Sequence, residues 1–161
     1  MNSYMNIVLT TDQFNINNIF FQETIKNNIM NDSNFIRIIY SDEITVLNGV
    51  CIEFTLPIIN IDKFFNKFKC NFDKNINREI IQKMGKIEND IIMKCKSINI
   101  DKKPIFRISE LFKNGYIKFI NLYNGFGNTN NAKFLIKIYG IWSTDVEYGL
   151  TYKITLCGKP L

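Results

Sequence analysis

The sequence contains no histidine. This absence excludes Ser-His-Asp and Cys-His nucleophile systems, together with every zinc site that needs a histidine ligand. Four cysteines are present, Cys51, Cys70, Cys95 and Cys157, but none belongs to a C-x-x-C pair. Their wide spacing argues against an all-cysteine zinc site and predicts free thiols in a reducing, cytosolic compartment.

Long apolar runs and alanine are also scarce. No stretch approaches the roughly 18 consecutive apolar residues of a membrane-spanning helix, so none is expected. The first residues, MNSYMNIVLTTDQF, lack a basic region followed by a long apolar one, and no signal peptide is expected. Alanine occurs once, at Ala132, whereas isoleucine, asparagine and lysine are abundant. This bias is typical of AT-rich coding, which by itself supplies many lysines.

The residues that are present indicate a folded, basic protein. A chain of 161 residues without an internal linker predicts one domain, residues 1–161. Its 46% hydrophobic and 14% aromatic residues are enough for a buried core. The net charge of +5 suits polyanionic partners such as nucleic acid or an anionic membrane surface.

Alternating apolar residues predict several β-strands. The period-2 pattern occurs in FIRIIY (35–40), VCIEFTL (50–56) and YIKFINLY (116–123), and FNINNIFF (14–21) is also expected to contain a strand. Asn48-Gly49 precedes one of these runs, and Asn-Gly between alternating runs predicts a tight hairpin of neighbouring antiparallel strands. The segment FLIKIYGIWSTDVEYGLTYKI (134–154) predicts a second hairpin with an acidic turn.

Helical periodicity occurs in the middle of the chain. Phe64, Phe65 and Phe68 have helical spacing, and residues 77–96 predict one long helix. The side chains expected to be buried by that helix are Ile80, Met84, Ile87 and Ile91. A helix between two groups of strands predicts a β-rich α+β fold, an antiparallel OB-like barrel or sheet of five to seven strands with one long helix inserted.

Acidic pairs are the only candidates for metal-dependent catalysis. Convergent carboxylates would hold Mg²⁺ in a nuclease. The pairs are Asp42-Glu43, Glu88 with Asp90, and Asp145 with Glu147. They fall in predicted turns or on the polar helix face, so no metal or other cofactor is expected. The Gly-x-Gly of NGFGNTNNA (124–132) joins two strands, whereas a phosphate-binding loop leads into a helix.

Aromatic and basic residues interleave on the predicted strands. Lys137 and Tyr139 share one face of the terminal hairpin, with Lys153 on its second strand and Lys118 on the strand before. OB-type modules bind single strands by stacking bases on such rings while lysines follow the phosphates. A core position for Tyr139 is the alternative. Trp142, the only tryptophan, is expected to seal a barrel end, with its N–H bonded to a loop carbonyl, or to rim the groove.

The ending IYGIWSTDVEYGLTYKI combines Gly-Ile-Trp, a short acidic turn and Gly-Leu-Thr-Tyr. It resembles the terminal hairpin of the single-stranded DNA-binding proteins of large nucleocytoplasmic DNA viruses, which are similar to the OB-fold DNA-binding protein of short-tailed coliphages. The early segment IFFQETIKNNIMNDSNFIRIIYSDEITVLNGVCIEFTL resembles the opening of the same group. An AT-rich viral genome would also account for the composition.

The resemblance implies a non-catalytic single-stranded DNA-binding protein of viral replication or repair, in the host cytoplasm or a viral factory. By position, Arg37 and Tyr40 would join Lys137, Tyr139 and Lys153 on the DNA-facing sheet. The implied partners are single-stranded DNA, with RNA as the alternative, a second copy in a homodimer, and replication proteins, but no membrane. The ending TLCGKPL lacks the acids through which the phage tail recruits polymerase, so recruitment through a tail is not expected.

Two functions of other classes are alternatives. A viral structural or protein-interaction domain would need an exposed apolar patch without a basic groove, and Leu135 and Ile141 beside Tyr139 could form such a patch. A histidine-free Mg²⁺ nuclease would need at least three carboxylates in one pocket. Exposure of the face that carries Tyr139 and Lys137 discriminates between these functions.

Overall fold

The computed structural model describes residues 7–99, 101–120 and 130–157. Within these ranges the chain forms eleven β-strands and two α-helices. The strands are β1 (Val8–Thr10), β2 (Ile19–Lys26), β3 (Asn34–Ser41), β4 (Val46–Asn48), β5 (Val50–Pro57), β6 (Asn60–Phe64), β7 (Lys67–Asn71), β8 (Lys103–Ile105), β9 (Tyr116–Phe119), β10 (Asn131–Ser143) and β11 (Glu147–Leu156). The helices are α1 (Arg78–Lys94) and α2 (Arg107–Lys113).

The longest strand, β10, organises an eight-stranded mixed sheet. One side of β10 pairs antiparallel with β11. The other side pairs with β5 from Asn131 to Ile138, and then with β3 from Gly140 to Ser143. β3 also pairs with β2 and β4, while β1 and β8 lie parallel to β5 and β11. Because β10 changes neighbours part way along, the sheet branches there, and β3 lies on the same side of β10 as β5.

A second sheet consists of the antiparallel strands β6, β7 and β9. Ile120, which follows β9, joins it to the larger sheet. The Ile120 N–H donates to the carbonyl of Ile154 at 3.1 Å, and its carbonyl accepts from the N–H of Leu156 at 3.3 Å. These bonds fix the edge of the small sheet against β11.

Inward-facing side chains of both sheets and α1 form one core cluster. The predicted alternation is confirmed, since every second residue of β5 and β10 is buried there: Val50, Ile52, Phe54, Leu56, Phe134, Ile136 and Ile138. The intervening residues, such as Lys137, remain outside the core. Period-2 patterning therefore identified both faces of these strands.

The long helix is confirmed within a few residues at each end. Met84, Ile87 and Ile91 are buried as predicted. Ile80 is only half-buried, because it lies in the first turn of α1 beside a small open cleft that is also lined by Pro57. Neither helix in the described residues is long and apolar enough to cross a membrane.

The β-rich α+β class is confirmed, but the predicted strand number is wrong. The described residues form eleven strands, and two strand pairs are parallel. Strands β1, β4 and β8 contain three residues each, too few for an alternating pattern to be recognised. No closed barrel is formed by the described part of the chain, because the path through the larger sheet ends at β1 and β8.

The hairpin predicted at Asn48-Gly49 is wrong. β4 pairs with β3, whereas β5 pairs with β1 and β10, so these two consecutive strands are not neighbours. Gly49 has a φ of +81°, and a Cβ on it would lie 2.7 Å from the carbonyl oxygen of Ile138. Glycine is needed there because the backbone at residue 49 passes close to β10, at the point where β10 changes from pairing with β5 to pairing with β3. The hairpin turn lies earlier, where the Asp42 N–H donates to the carbonyl of Thr45.

The helical spacing predicted for Phe64, Phe65 and Phe68 is also wrong. These residues belong to a β6–β7 hairpin in which Phe64 pairs with Lys67, and Phe65 and Asn66 form the connection. Three apolar residues within five positions fit both periods, so a run of this length cannot distinguish helix from strand. Pairing of β7 with β9 decides in favour of the strand.

Candidate functional site

A groove with a volume of about 800 Å³ is lined by outward-facing residues of β3 and β10 and by residues from both faces of β11. The connection between β2 and β3 also lines it, as do residues of β7, α2 and β9. The groove therefore draws on segments from across the sequence. We refer to it as the basic groove, for the charges that line it.

Six cationic side chains line the basic groove: Lys26, Arg37, Lys67, Arg107, Lys118 and Lys153. No aspartate or glutamate occurs among its lining residues in the described part of the chain. The ion pairs found in that part involve other lysines, namely Lys83, Lys86 and Lys133. Because cationic side chains outnumber carboxylates six to none among the described lining residues, the groove attracts a polyanion.

Aromatic rings lie between these charges. Phe35, Phe119, Tyr139, Trp142 and Tyr152 line the same groove. Tyr139 is half-buried, and the Lys137 Nζ lies 5.0 Å from its ring centroid. Burial raises the pKa of Tyr152 to about 12, so its hydroxyl stays neutral at physiological pH and adds no negative charge to the groove.

A β-bulge in β10 gives Tyr139 its position. Lys137 pairs with Lys153, but the register shifts between Ile138 and Gly140, so that Tyr139 has no direct partner on β11. A Cβ on Gly140 would lie 2.3 Å from the carbonyl oxygen of Ile36, on the neighbouring strand β3. Only glycine fits there, since bulges need local room where another backbone approaches closely.

Trp142 lies at the inner side of the basic groove and is only 4% exposed. The Arg107 guanidinium stacks over its ring, with the Cζ 4.7 Å from the ring centroid. Gly149 makes room on the facing strand, because a Cβ there would lie 3.0 Å from the indole Cζ2. The buried indole Nε1 has no hydrogen-bond partner within the described residues. The predicted bond from this N–H to a loop carbonyl is thus not found among them, and Trp142 seals the groove, not a barrel end.

The groove brings together four of the six residues predicted to bind nucleic acid. Arg37, Lys118, Tyr139 and Lys153 all line it. Lys137 lies beside it, facing the ring of Tyr139. The interleaved lysines and aromatic residues of the terminal hairpin therefore do share one surface, as the alternation predicted.

Tyr40 does not belong to this surface, and its predicted role is wrong. It is 3% exposed and lies on the core face of β3, the same face as Ile36 and Ile38. Its hydroxyl accepts hydrogen bonds from the backbone N–H of Asn15 and the side chain of Asn18, at 3.2 and 3.4 Å. It alternates with Arg37, which points the other way.

Several residues of the basic groove were not predicted from the sequence. Lys67 lies in the segment for which helical spacing was predicted. Lys26 is the last residue of β2 and lies beyond residue 21, where the predicted strand segment ends. Arg107 is the first residue of the short helix α2, and no sequence pattern singles it out. Alternation puts Phe35 on the face opposite Ile36. Its ring reaches the groove only because β3 pairs with β10, and the sequence does not show that pairing.

Three of the six residues in the acidic pairs, Asp42, Glu88 and Asp90, make structural hydrogen bonds or ion pairs. The Asp42 carboxylate accepts hydrogen bonds from the backbone of Ile44 and Thr45, and these bonds lower its pKa. Asp90 pairs with Lys86 on α1, and Glu88 is buried against α2. No group of three or more potential metal ligands occurs in the described residues.

The cysteines are free thiols, as predicted. Burial raises the pKa of Cys70 to about 12 and that of Cys95 to about 11. It also raises the pKa of Cys51 and Cys157. All four therefore stay protonated near neutral pH, and a thiol is a far weaker nucleophile than a thiolate.

Comparisons with protein-family models, curated proteins and solved structures give no match to this chain. The function therefore has to follow from the chemistry of the basic groove. That chemistry consists of cations and aromatic rings side by side, with no carboxylate among the described lining residues.

Proposed function

We propose that the protein binds single-stranded DNA, without catalysis, in the basic groove. The observation that carries this proposal is the coincidence of six cationic side chains with the half-buried rings of Phe35, Tyr139 and Tyr152 in one groove, with no carboxylate among its described lining residues. Cations contact phosphates, and rings stack on bases, so the groove offers both halves of a single-strand site.

The aromatic rings favour a single strand over a duplex. In a duplex the bases stack on each other, so an aromatic side chain of a protein cannot stack on them. In a single strand each base can stack on a ring such as Tyr139, which contributes ~1–3 kcal/mol per base. Arg37 and Lys153 flank this ring in the groove, where they would contact the phosphates on either side of the base.

We further propose that the setting is replication or repair of a viral DNA genome, in the host cytoplasm or a viral factory. The resemblance of the C-terminal hairpin and the early strands to viral single-stranded DNA-binding proteins supports this setting. It also supports DNA over RNA. A homodimer and contacts with replication proteins belong to the same proposal.

A protein partner with an acidic segment is the second candidate. Ile25 and Ile29 line the basic groove and are 52% and 98% exposed, which would suit an apolar side chain of such a partner. The apolar patch predicted at Leu135 and Ile141 does not support this candidate, because Ile141 is fully buried.

The test is a salt-titrated binding measurement with the purified protein. Fluorescent oligo-dT and a duplex of the same length are titrated at several salt concentrations. We expect micromolar or tighter binding of the single strand, weaker binding of the duplex, and a linear fall of log K with log salt concentration. No salt-sensitive binding of the single strand at micromolar protein would refute the proposal and leave the acidic protein partner as the better candidate.

A further inference from the structure

The β6–β7 hairpin ends in two exposed aromatic rings. Phe64 and Phe65 are 69% and 83% exposed. Their ring centroids lie 5.0 Å apart at an interplanar angle of 88°, so each ring supports the other edge to face. Neither residue belongs to the core cluster. We call this pair the aromatic tip.

Phe65 of the aromatic tip has a backbone conformation that is unfavourable for an aromatic residue. Phe65 is the first residue of a two-residue hairpin connection and has a φ of +52°. Glycine or asparagine adopts this left-handed conformation far more easily than a bulky aromatic residue does. Because the ring of Phe65 is exposed, packing gives no reason for a phenylalanine at this position.

A row of lysines connects the aromatic tip with the basic groove. Phe64 pairs with Lys67 across the hairpin, and Lys69 pairs with Lys118 on β9. Directly opposed residues share a face, as do residues two apart on one strand, so all four side chains lie on the outer face of the small sheet. Asp62, which pairs with Lys69, is on this face too, so three lysines there face one carboxylate. Lys67 and Lys118 also line the basic groove. The lysine face is therefore continuous with the groove at one end and with the aromatic tip at the other.

We propose that a single strand bound in the basic groove leaves it across Lys67, Lys69 and Lys118, and that the aromatic tip stacks on a nucleobase outside the groove. This inference rests on the proposed function and extends its footprint. A single strand carries anionic phosphates and flat apolar bases in alternation, which matches lysines followed by rings. An apolar protein pocket would match the rings alone. An anionic lipid surface would match the rings and the lysines, but a flat surface could not follow the lysine row into the groove as a single strand can.

The test compares the wild type with the double substitution Phe64→Thr, Phe65→Asn in a series of oligo-dT from ~4 to 16 nucleotides, the span of site sizes in OB-type folds. Threonine suits a strand, and asparagine tolerates positive φ, so the hairpin is retained. The matched control is Ile44→Ser, which removes a 79% exposed apolar side chain at the turn between β3 and β4.

We expect equal binding of the shortest oligonucleotides by all three proteins. Above the length that reaches the tip, the double variant should bind about 5- to 150-fold more weakly than the wild type, the equivalent of one stacked base at ~1–3 kcal/mol. The Ile44→Ser control should match the wild type at every length. Thermal unfolding should show no loss of stability in the double variant, because the exposed rings add nothing to the core.

Two results would overturn the inference and leave the proposed function intact. One is unchanged binding of long oligonucleotides by the double variant. The other is an equal loss at every oligonucleotide length, which would place the rings within the minimal site. Loss of binding to vesicles of phosphatidylcholine and phosphatidylserine, with oligonucleotide binding unchanged, would assign the tip to a membrane instead. Failure of the wild type to bind any single strand would refute the proposed function itself.

Discussion

Glu88 of α1 and Ser109 of α2 are joined by two hydrogen bonds of 2.6 Å. The Glu88 carboxylate accepts one from the backbone N–H and one from the hydroxyl of Ser109, and it accepts a third from the N–H of Ile108 at 2.9 Å. Glu88 is fully buried. Its carboxylate thus caps the first turn of α2, the turn that carries Arg107 onto the ring of Trp142 in the basic groove.

The substitution Glu88→Gln should destabilise the protein. An amide can accept from one of the donors but presents an N–H₂ group to another, and a buried donor left unpaired costs about 1–3 kcal/mol. Chemical denaturation measures this loss. Glu79→Gln, which changes an exposed carboxylate on the same helix, is the matched control and should cost much less. Equal effects of the two substitutions would contradict the capping role.

The stability difference between the wild type and Glu88→Gln should depend on pH. Burial outweighs the hydrogen bonds and raises the pKa of Glu88 above its ordinary value of 4.5. The folded state therefore binds this proton more tightly than the unfolded state does. The resulting stabilisation is fully present below about pH 4.5 and is lost as the pH rises through the folded pKa. Denaturation at several pH values should show the difference shrinking as pH increases, and a difference that grows would contradict the raised pKa.

Tyr139 and Tyr40 should respond in opposite ways to substitution. Tyr139→Ala should weaken single-strand binding by ~1–3 kcal/mol, the worth of one stacked base, with little effect on thermal stability. Tyr40→Phe should leave binding unchanged and cost about 0.5–1.5 kcal/mol of stability, because its buried hydroxyl no longer accepts from Asn15 and Asn18. A collapse of stability in Tyr139→Ala would show that this ring belongs to the core.

Lys153→Ala should change the salt dependence of binding. Removing one lysine–phosphate interaction from a single-strand complex reduces the slope of log K against log salt concentration by about 0.7. Lys96, an exposed lysine just after α1 and outside the groove, provides the control Lys96→Ala, and its slope should match the wild type. If the slope for Lys153→Ala equals that of the wild type, Lys153 does not contact a phosphate.

Trp142 should report occupancy of the basic groove. It is the only tryptophan, and its ring lies against the groove cation Arg107. A phosphate that draws this guanidinium away changes the polarity beside the indole, so its emission should change along the same isotherm as binding. Fluorescence titration with oligo-dT under selective tryptophan excitation measures this. Tight binding with constant emission would locate the ligand on another surface.

Local patterns determined the strand faces, the long helix and part of the groove. Alternation of side chains along a strand follows from backbone geometry alone, so Lys137, Tyr139 and Lys153 could be placed together from the sequence. Residues three apart on a strand, such as Arg37 and Tyr40, point to opposite faces, but alternation alone does not decide which face meets the core. The resemblance to viral proteins then assigned both residues to the binding surface, and only Arg37 lies there.

The sequence by itself determined that this protein is β-rich, basic and without histidine chemistry, because composition and short-range periodicity depend on the chain alone. Tertiary structure decided that β10 pairs with β5 and then with β3, since each pairing competes with every other available strand edge. That choice brings Phe35 and Arg37 beside Tyr139. Only the tertiary structure brings Arg107 and Lys67 to the same groove. The attraction of a polyanion depends on distances in space and not on positions along the chain.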